Sequence, residues 1–141
     1  MTTADAEYNA RVIDEFHANE GRVGGVFDGT PLLLLHHAGA RSGAERVNPV
    51  AYLTDDGRYL VFASNGGARH SPAWYHNLGA HPHTTIEVGR ETINVVAHTA
   101  TGEERERLFA LGARRFPQLT EYAQKTDRAI PVLVLTPLGG A

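Results

Sequence analysis

The stretch from Leu32 to Tyr52, LLLLHHAGARSGAERVNPVAY, most limits what this chain can become. An apolar run, a short glycine-containing loop and a second apolar segment read as a β-hairpin. Gly39 and Gly43 permit backbone angles that other residues resist, so the loop amides can turn inward together as an anion-binding nest. Arg41 and Arg46 add fixed positive charge and planar donor forks suited to phosphate and carboxylate oxygens. An ordinary hairpin with a solvated basic tip accounts for the same residues, and both readings stand.

Before the hairpin, Tyr8, Val12 and Phe16 repeat at helical spacing, with Ile13 beside them. This predicts an amphipathic helix over 5–19 that stops near Gly21. Asp5, Asp14 and Glu15 occupy its other face, which favours docking on the protein's own core over a membrane surface. Gly21, Gly24, Gly25 and Gly29 form a loose connector into the Leu32 strand. After the hairpin, Asp55-Asp56-Gly57 marks a turn between Val50–Leu53 and Tyr59–Ala63. Three short-linked strands imply an antiparallel meander. Ser71 as N-cap and Pro72 at the first helical position open a helix carrying Trp74, Tyr75 and Asn77. A hairpin over His83–Val88 and Thr92–Thr99 follows. Thr101-Gly102-Glu103-Glu104 then reads as a capping box for a helix to about Arg115. Gln118–Lys125 is a further short helix and Ile130–Thr136 a last strand. Six or seven strands with a few helices form a small, largely antiparallel barrel, mainly β (α+β).

At 141 residues, with no internal repeat or dividing linker, the chain reads as one domain over 1–141. A net charge of −3 argues against a general nucleic-acid binder, and Lys125 is the single lysine. With no cysteine, disulfides, thiol catalysis and cysteine metal sites are excluded. The first residues lack the pattern of a signal peptide and no apolar run spans a bilayer, so a cytoplasmic protein is expected.

Eight histidines raise the question of metal, with His36-His37 and His81-Pro82-His83 the tightest pairs. No acidic residue joins either pair nearby in sequence and no helical H-E-x-x-H is present, so no metal is expected. Ser42 lies in G-x-x-S-G between two strands. A nucleophile elbow needs G-x-S-x-G between strand and helix, so Ser42 is a poor nucleophile. Walker and G-x-G-x-x-G loops are absent. Two glycine-rich loops and an aromatic helix remain, the equipment of a cofactor cleft.

Taken in order, Gly39-Ala40-Arg41-Ser42-Gly43, Arg46-Val47-Asn48-Pro49, Ala63-Ser64-Asn65-Gly66-Gly67, Ser71-Pro72-Ala73-Trp74-Tyr75-His76-Asn77-Leu78 and Thr126-Asp127-Arg128-Ala129-Ile130-Pro131 strongly resemble the deazaflavin-dependent nitroreductase and quinone reductase family. The likeness runs from near Tyr8 to Pro137. It implies a split β-barrel similar to the FMN-binding barrels, with coenzyme F420 as cofactor. By the resemblance, Arg41 and Ser42 hold the cofactor's phosphate, and Arg46 and Asn48 face its linker and ring, with Pro49 shaping the turn. Ala63, Ser64 and Asn65 lie near ring and tail, while Ala73, Trp74 and Asn77 approach from the helix. Core packing is the other reading of Trp74.

Two departures from the family pattern stand out. Asn65 occupies a position where a basic residue is common, which weakens the grip on an acidic tail unless Arg41, Arg46 or Arg69 compensates. Phe116 and Leu119 stand where nitro-reducing members carry tyrosines, and only Tyr122 keeps a hydroxyl. An apolar acceptor pocket of Phe116, Leu119 and Tyr122, poor in hydrogen-bond donors, is therefore expected. The resemblance implies hydride transfer from reduced F420 to an electron-poor acceptor such as a quinone, activated enone or nitroaromatic. Tyr122 and water are the candidate proton sources. An FMN enzyme on the same barrel and a non-enzymatic F420 carrier are the alternative readings. The expected partner is a small-molecule hydride acceptor, and the expected state a monomer or homodimer.

Overall fold

Seven strands make one sheet in the order β2-β1-β5-β6-β7-β4-β3, in which the first and last members are neighbours along the chain. The strands are β1 (Leu32–Ala38), β2 (Glu45–Ala51), β3 (Leu53–Asp55), β4 (Arg58–Phe62), β5 (His83–Val88), β6 (Glu91–Thr99) and β7 (Val132–Pro137). Helices α1 (Thr3–Ala18), α2 (Ala73–Ala80), α3 (Gly102–Arg115) and α4 (Gln118–Lys125) flank them. The computed structural model describes residues 3–25 and 29–138; connector residues 26–28, the chain ends and the side chain of Asp5 lie outside the described part.

Every adjacent pair is antiparallel. Tyr52 alone separates β2 from β3, yet these strands hold opposite ends of the sheet order. The sheet must therefore curl until its edges meet, which makes the expected split barrel. The same fact corrects the meander: β4 pairs with β3 and β7, not with β2. What looks in sequence like one apolar run breaks at Tyr52 and changes edges. Pro49 is tolerated because β2 is an edge strand.

The leucine run of β1 is continuous because both its faces are buried. Leu33 and Leu35 point into the barrel with Val61, Trp74, Ile86 and Leu133. Leu32 and Leu34 meet Val12 and Phe16 of α1 on the other side. Strand β7 alternates likewise, Leu133 and Leu135 inward and Val132 and Val134 under α3 and α4. Burying a side chain such as Phe16 stabilises by about 1.5–3 kcal/mol, so α1 is anchored chiefly through Val12 and Phe16. Tyr8, one turn earlier, is 41% exposed and does not belong to that buried face.

Two expected caps take other forms. Helix α2 begins at Ala73 with Pro72 as its N-cap, and the Ser71 hydroxyl accepts instead from Arg128 Nη1 at 3.1 Å. Thr101 caps α3 without a side-chain bond, and Gly102 after it takes a φ of +58°. Among the described residues, no helix is long and apolar enough to cross a membrane.

Candidate active site

Two connected hollows open between β2, the loop after β4 and the start of α2. The larger, about 850 Å³, is lined by Asn9, His37, Arg46, Val47, Asn48, Asn65, Ser71, Pro72, Ala73 and Trp74. The smaller, about 370 Å³, is lined by Pro49, Val50, Ala51, Phe62, Ser64, Asn65, Pro72, Trp74, Phe116, Gln118, Leu119 and Tyr122. They share Asn65, Pro72 and Trp74. One is a polar, basic trough and the other a mainly apolar pocket, with the indole at their junction. Trp74 is only 7% exposed, packs in the barrel core and lines both hollows.

Each predicted residue can now be placed. Arg46, Asn48, Asn65, Ala73 and Trp74 line the trough; Pro49, Ser64, Asn65, Trp74, Phe116, Leu119 and Tyr122 line the pocket. Arg41 and Ser42 are exposed on the hairpin loop and line neither hollow. Ala63 and Asn77 are buried behind the walls. Arg41 and Arg46 form no ion pair among the described residues, so their charge is uncommitted. The start of α2, at Ala73, adds the positive end of a helix dipole to the trough.

The hairpin loop is not an open nest. Gly39 N donates to Ala44 O at 2.9 Å, Gly43 N to Gly39 O at 2.8 Å, Ala44 N to Ser42 Oγ at 3.1 Å and Ala40 N to Asn77 Oδ1 at 2.9 Å. Among the described residues, the amides of Arg41 and Ser42 are left without a partner.

Asn65 adopts a φ of +48°, a left-handed conformation that asparagine tolerates better than longer residues, and its Nδ2 donates to His70 O at 3.0 Å. That conformation gives a physical reason for asparagine at this position. The pocket is also richer in donors than expected. Gln118 opens α4 at the exposed rim, and Ser64 and Asn65 reach the same wall. Phe116 and Leu119 are buried in the layer beneath α3 and α4 as well as lining the pocket.

Arg128 stands in the Thr126–Pro131 motif without a role read for it, and it holds the whole loop after β4. Its guanidinium donates to the carbonyls of Ala63, Ser64, Ala68 and His70 and to Ser71 Oγ, at 2.8–3.3 Å. Gly67, at a φ of +82°, fits against the backbone of Tyr122, which clamps this loop from α4. His37 is the second residue that sequence reasoning missed. Burial, Arg46 and His36 push its imidazole below the usual range, although the Asn48 bond opposes them. The signal was available, since neighbours in a strand point to opposite faces. His36 turns to Glu45 and Glu87, His37 to Asn48 and Asn77. Among the described residues, no group of three His, Cys, Asp or Glu is placed to hold a metal.

The F420H(2)-dependent quinone reductase family matches residues 9–137. An F420H(2)-dependent quinone reductase of Mycobacterium tuberculosis is 38% identical over 128 residues, covering 86% of this chain and 84% of the relative. A solved F420-H2 dependent reductase (FDR-A) superposes with a TM-score of 0.69 at 36% identity, over 74% of this chain and 93% of the other. A second solved relative, described as a domain-swapped dimer, has a TM-score of 0.71 at 32% identity over 93% and 98% of the two chains. The curled barrel, the two-part cleft and these matches agree: the chain belongs to the F420H(2)-dependent quinone reductase family of oxidoreductases.

Proposed function

We propose that this chain binds coenzyme F420 in the trough and reduces a quinone in the adjoining pocket. The observation that carries this reading is the junction: a basic, donor-rich trough of about 850 Å³ meets an apolar pocket of about 370 Å³ across Trp74. An elongated anionic cofactor fits such a trough, because Arg46 within it and Arg41 on the hairpin loop are free of ion pairs among the described residues and suit a phosphate and an acidic tail. Arg41, Ser42 and Arg46 would hold the phosphate and tail, Asn48 the ring end, and Ala63, Ser64, Asn65, Ala73, Trp74 and Asn77 shape or support the ring site. When bound and reduced, F420 supplies a hydride.

The protein's part is orientation, exclusion of water and management of charge. Trp74 and Pro72 form the wall common to both ligands and hold them in contact. Phe62, Phe116 and Leu119 dry the acceptor side, which strengthens any polar contact made there. Reducing a quinone to a quinol takes one hydride and one proton, and negative charge develops on a carbonyl oxygen as the hydride arrives. Gln118 and Ser64 line this pocket and would donate to that oxygen. Tyr122 is the assigned proton donor, giving its phenolic proton to the acceptor oxygen and regaining one from solvent.

Enones and nitroaromatics belong to the same reading as further electron-poor acceptors. So do a cytoplasmic location, a single domain over 1–141, no nucleic-acid partner, and a monomeric or homodimeric state that sedimentation can decide. Side-by-side titration with F420 and FMN, followed by turnover of reduced F420 with an acceptor panel, tests the proposal. Tighter binding of FMN would overturn the cofactor assignment. Tight F420 binding with no turnover on any acceptor would make the protein a carrier.

A further inference from the structure

From the hairpin loop to the trough wall, four polar groups form one hydrogen-bonded line whose direction is forced at every link. Ala40 N donates to Asn77 Oδ1 at 2.9 Å, Asn77 Nδ2 meets His37 Nδ1 at 2.9 Å, and His37 Nε2 meets Asn48 Oδ1 at 2.7 Å. A backbone N–H can only donate, so Asn77 turns its oxygen to Ala40 and its amino group to His37. That amino group cannot accept, so Nδ1 of His37 is the bare nitrogen and Nε2 carries the proton. The proton goes to Asn48 Oδ1, which leaves the Asn48 amino group for the trough that this residue lines. His37 is 2% exposed and Asn77 6%, so water does not readily replace a broken link.

We infer that His37 is a positioning residue: as its Nε2–H tautomer it locks Asn48 with the amino group facing the trough. That point of the cleft is then a hydrogen-bond donor and selects an acceptor on the ligand, a ring carbonyl or an unprotonated ring nitrogen. The inference rests on the cofactor reading only for which ligand meets Asn48. The same line reaches the hairpin loop, since a second proton on His37 would set two donors face to face. Asn77 would then lose His37 or, by flipping, lose Ala40, beside Arg41 and Ser42. The ionisable groups acting on this imidazole, Arg46 on β2 and His36 on β1, both oppose that proton.

The test begins with ligand-free protein. Nitrogen-15 NMR of the His37 ring at neutral pH should show the Nε2–H tautomer; a protonated Nδ1 would overturn the inference. F420 titrations of His37→Gln, His37→Leu, Asn48→Ala and the His37→Leu/Asn48→Ala double variant follow, each checked for folding by its melting curve. Glutamine offers an oxygen to Asn77 and an amino group to Asn48, so His37→Gln should bind F420 within about threefold of wild type, and His37→Leu about tenfold or more weakly. The leucine penalty should vanish in the Asn48→Ala background. Acidification should weaken F420 binding by wild type more than by His37→Gln. Equal losses in the glutamine and leucine variants, or a leucine penalty that survives without Asn48, would overturn the inference. Wild type that binds no F420 would overturn the cofactor reading and the ligand-facing half of this one, while the tautomer is judged independently.

Discussion

Arg128 donates through Nη2 to the carbonyl oxygen of Ser64 at 2.8 Å, across 64 residues of sequence. The contact ties the segment leading into β7 to the loop that lines both halves of the cleft. Arginine suits this role because its planar fork satisfies several carbonyls at once, whereas a lysine ammonium is a single flexible point charge. Arg128→Lys should therefore weaken F420 binding about tenfold or more, with a smaller effect on the melting temperature. Calorimetric titration alongside a thermal melt checks this, and unchanged affinity would show that the loop holds its shape without Arg128.

Arg46 is exposed and forms no ion pair among the described residues. Arg46→Ala should leave folding intact and weaken F420 by about 1.5–3 kcal/mol, roughly ten- to hundred-fold. Fluorescence titration of the folded variant is the check. An unchanged dissociation constant would return Arg46 to a solvated hairpin tip.

Gly112 lies in the last turn of α3, where an added Cβ would collide with the Phe62 ring. Alanine gains about 1 kcal/mol of helix propensity there, while overpacking against a ring anchored in β4 costs about 1–3 kcal/mol. Overpacking should win because the Phe62 ring is a rigid plate that can retreat only as a whole, into the pocket it walls. Gly112→Ala should lower the melting temperature. It should also raise KM for a quinone, because Phe62 walls the acceptor pocket. A more stable variant with unchanged KM would show that Phe62 yields freely.

His36 bridges Glu45 at 2.9 Å and Glu87 at 2.7 Å, joining β2, β1 and β5. Burial alone would lower its pKa, but the two carboxylates outweigh burial and hold it above 6.5. Glu87 shows the reverse: burial would raise it, yet His36 and His17 hold it below 4.5. The His36 contribution is full below 6.5 and lost as pH rises through its raised value. The Glu87 contribution is full above 4.5 and lost as pH falls through its lowered value. This pair therefore contributes most in mildly acidic solution. Thermal melts from about pH 5 to about pH 8 should show wild type losing its advantage over His36→Gln as pH rises. An advantage that is constant or grows would contradict the assignment.

How much was legible depended on range. Hairpin turns at Gly39–Gly43 and at Asp55-Asp56-Gly57, and the helix break at Phe116-Pro117, depend on neighbouring residues and were readable. The division of Arg46–Leu53 between opposite sheet edges was not, because no glycine marks Tyr52 and the cause is closure of the whole sheet. In the site, the ordered motifs identified Trp74, Asn48 and Asn65, which line the cleft. Arg128 stood in a quoted motif, but its role was not readable because its partners are mostly backbone carbonyls, which carry no residue signature. Gln118 was not readable because an exposed polar residue in the first turn of α4 looks solvated in sequence, whereas that turn brings it to the same pocket as Leu119.

The most direct test of the account is oxidation of reduced F420 by a small naphthoquinone, followed by the return of deazaflavin absorbance with and without this protein. Saturable, protein-dependent oxidation, slowed in Tyr122→Phe, is the predicted result. Oxidation no faster than the uncatalysed rate across a range of quinones, in protein shown to bind F420, would contradict it.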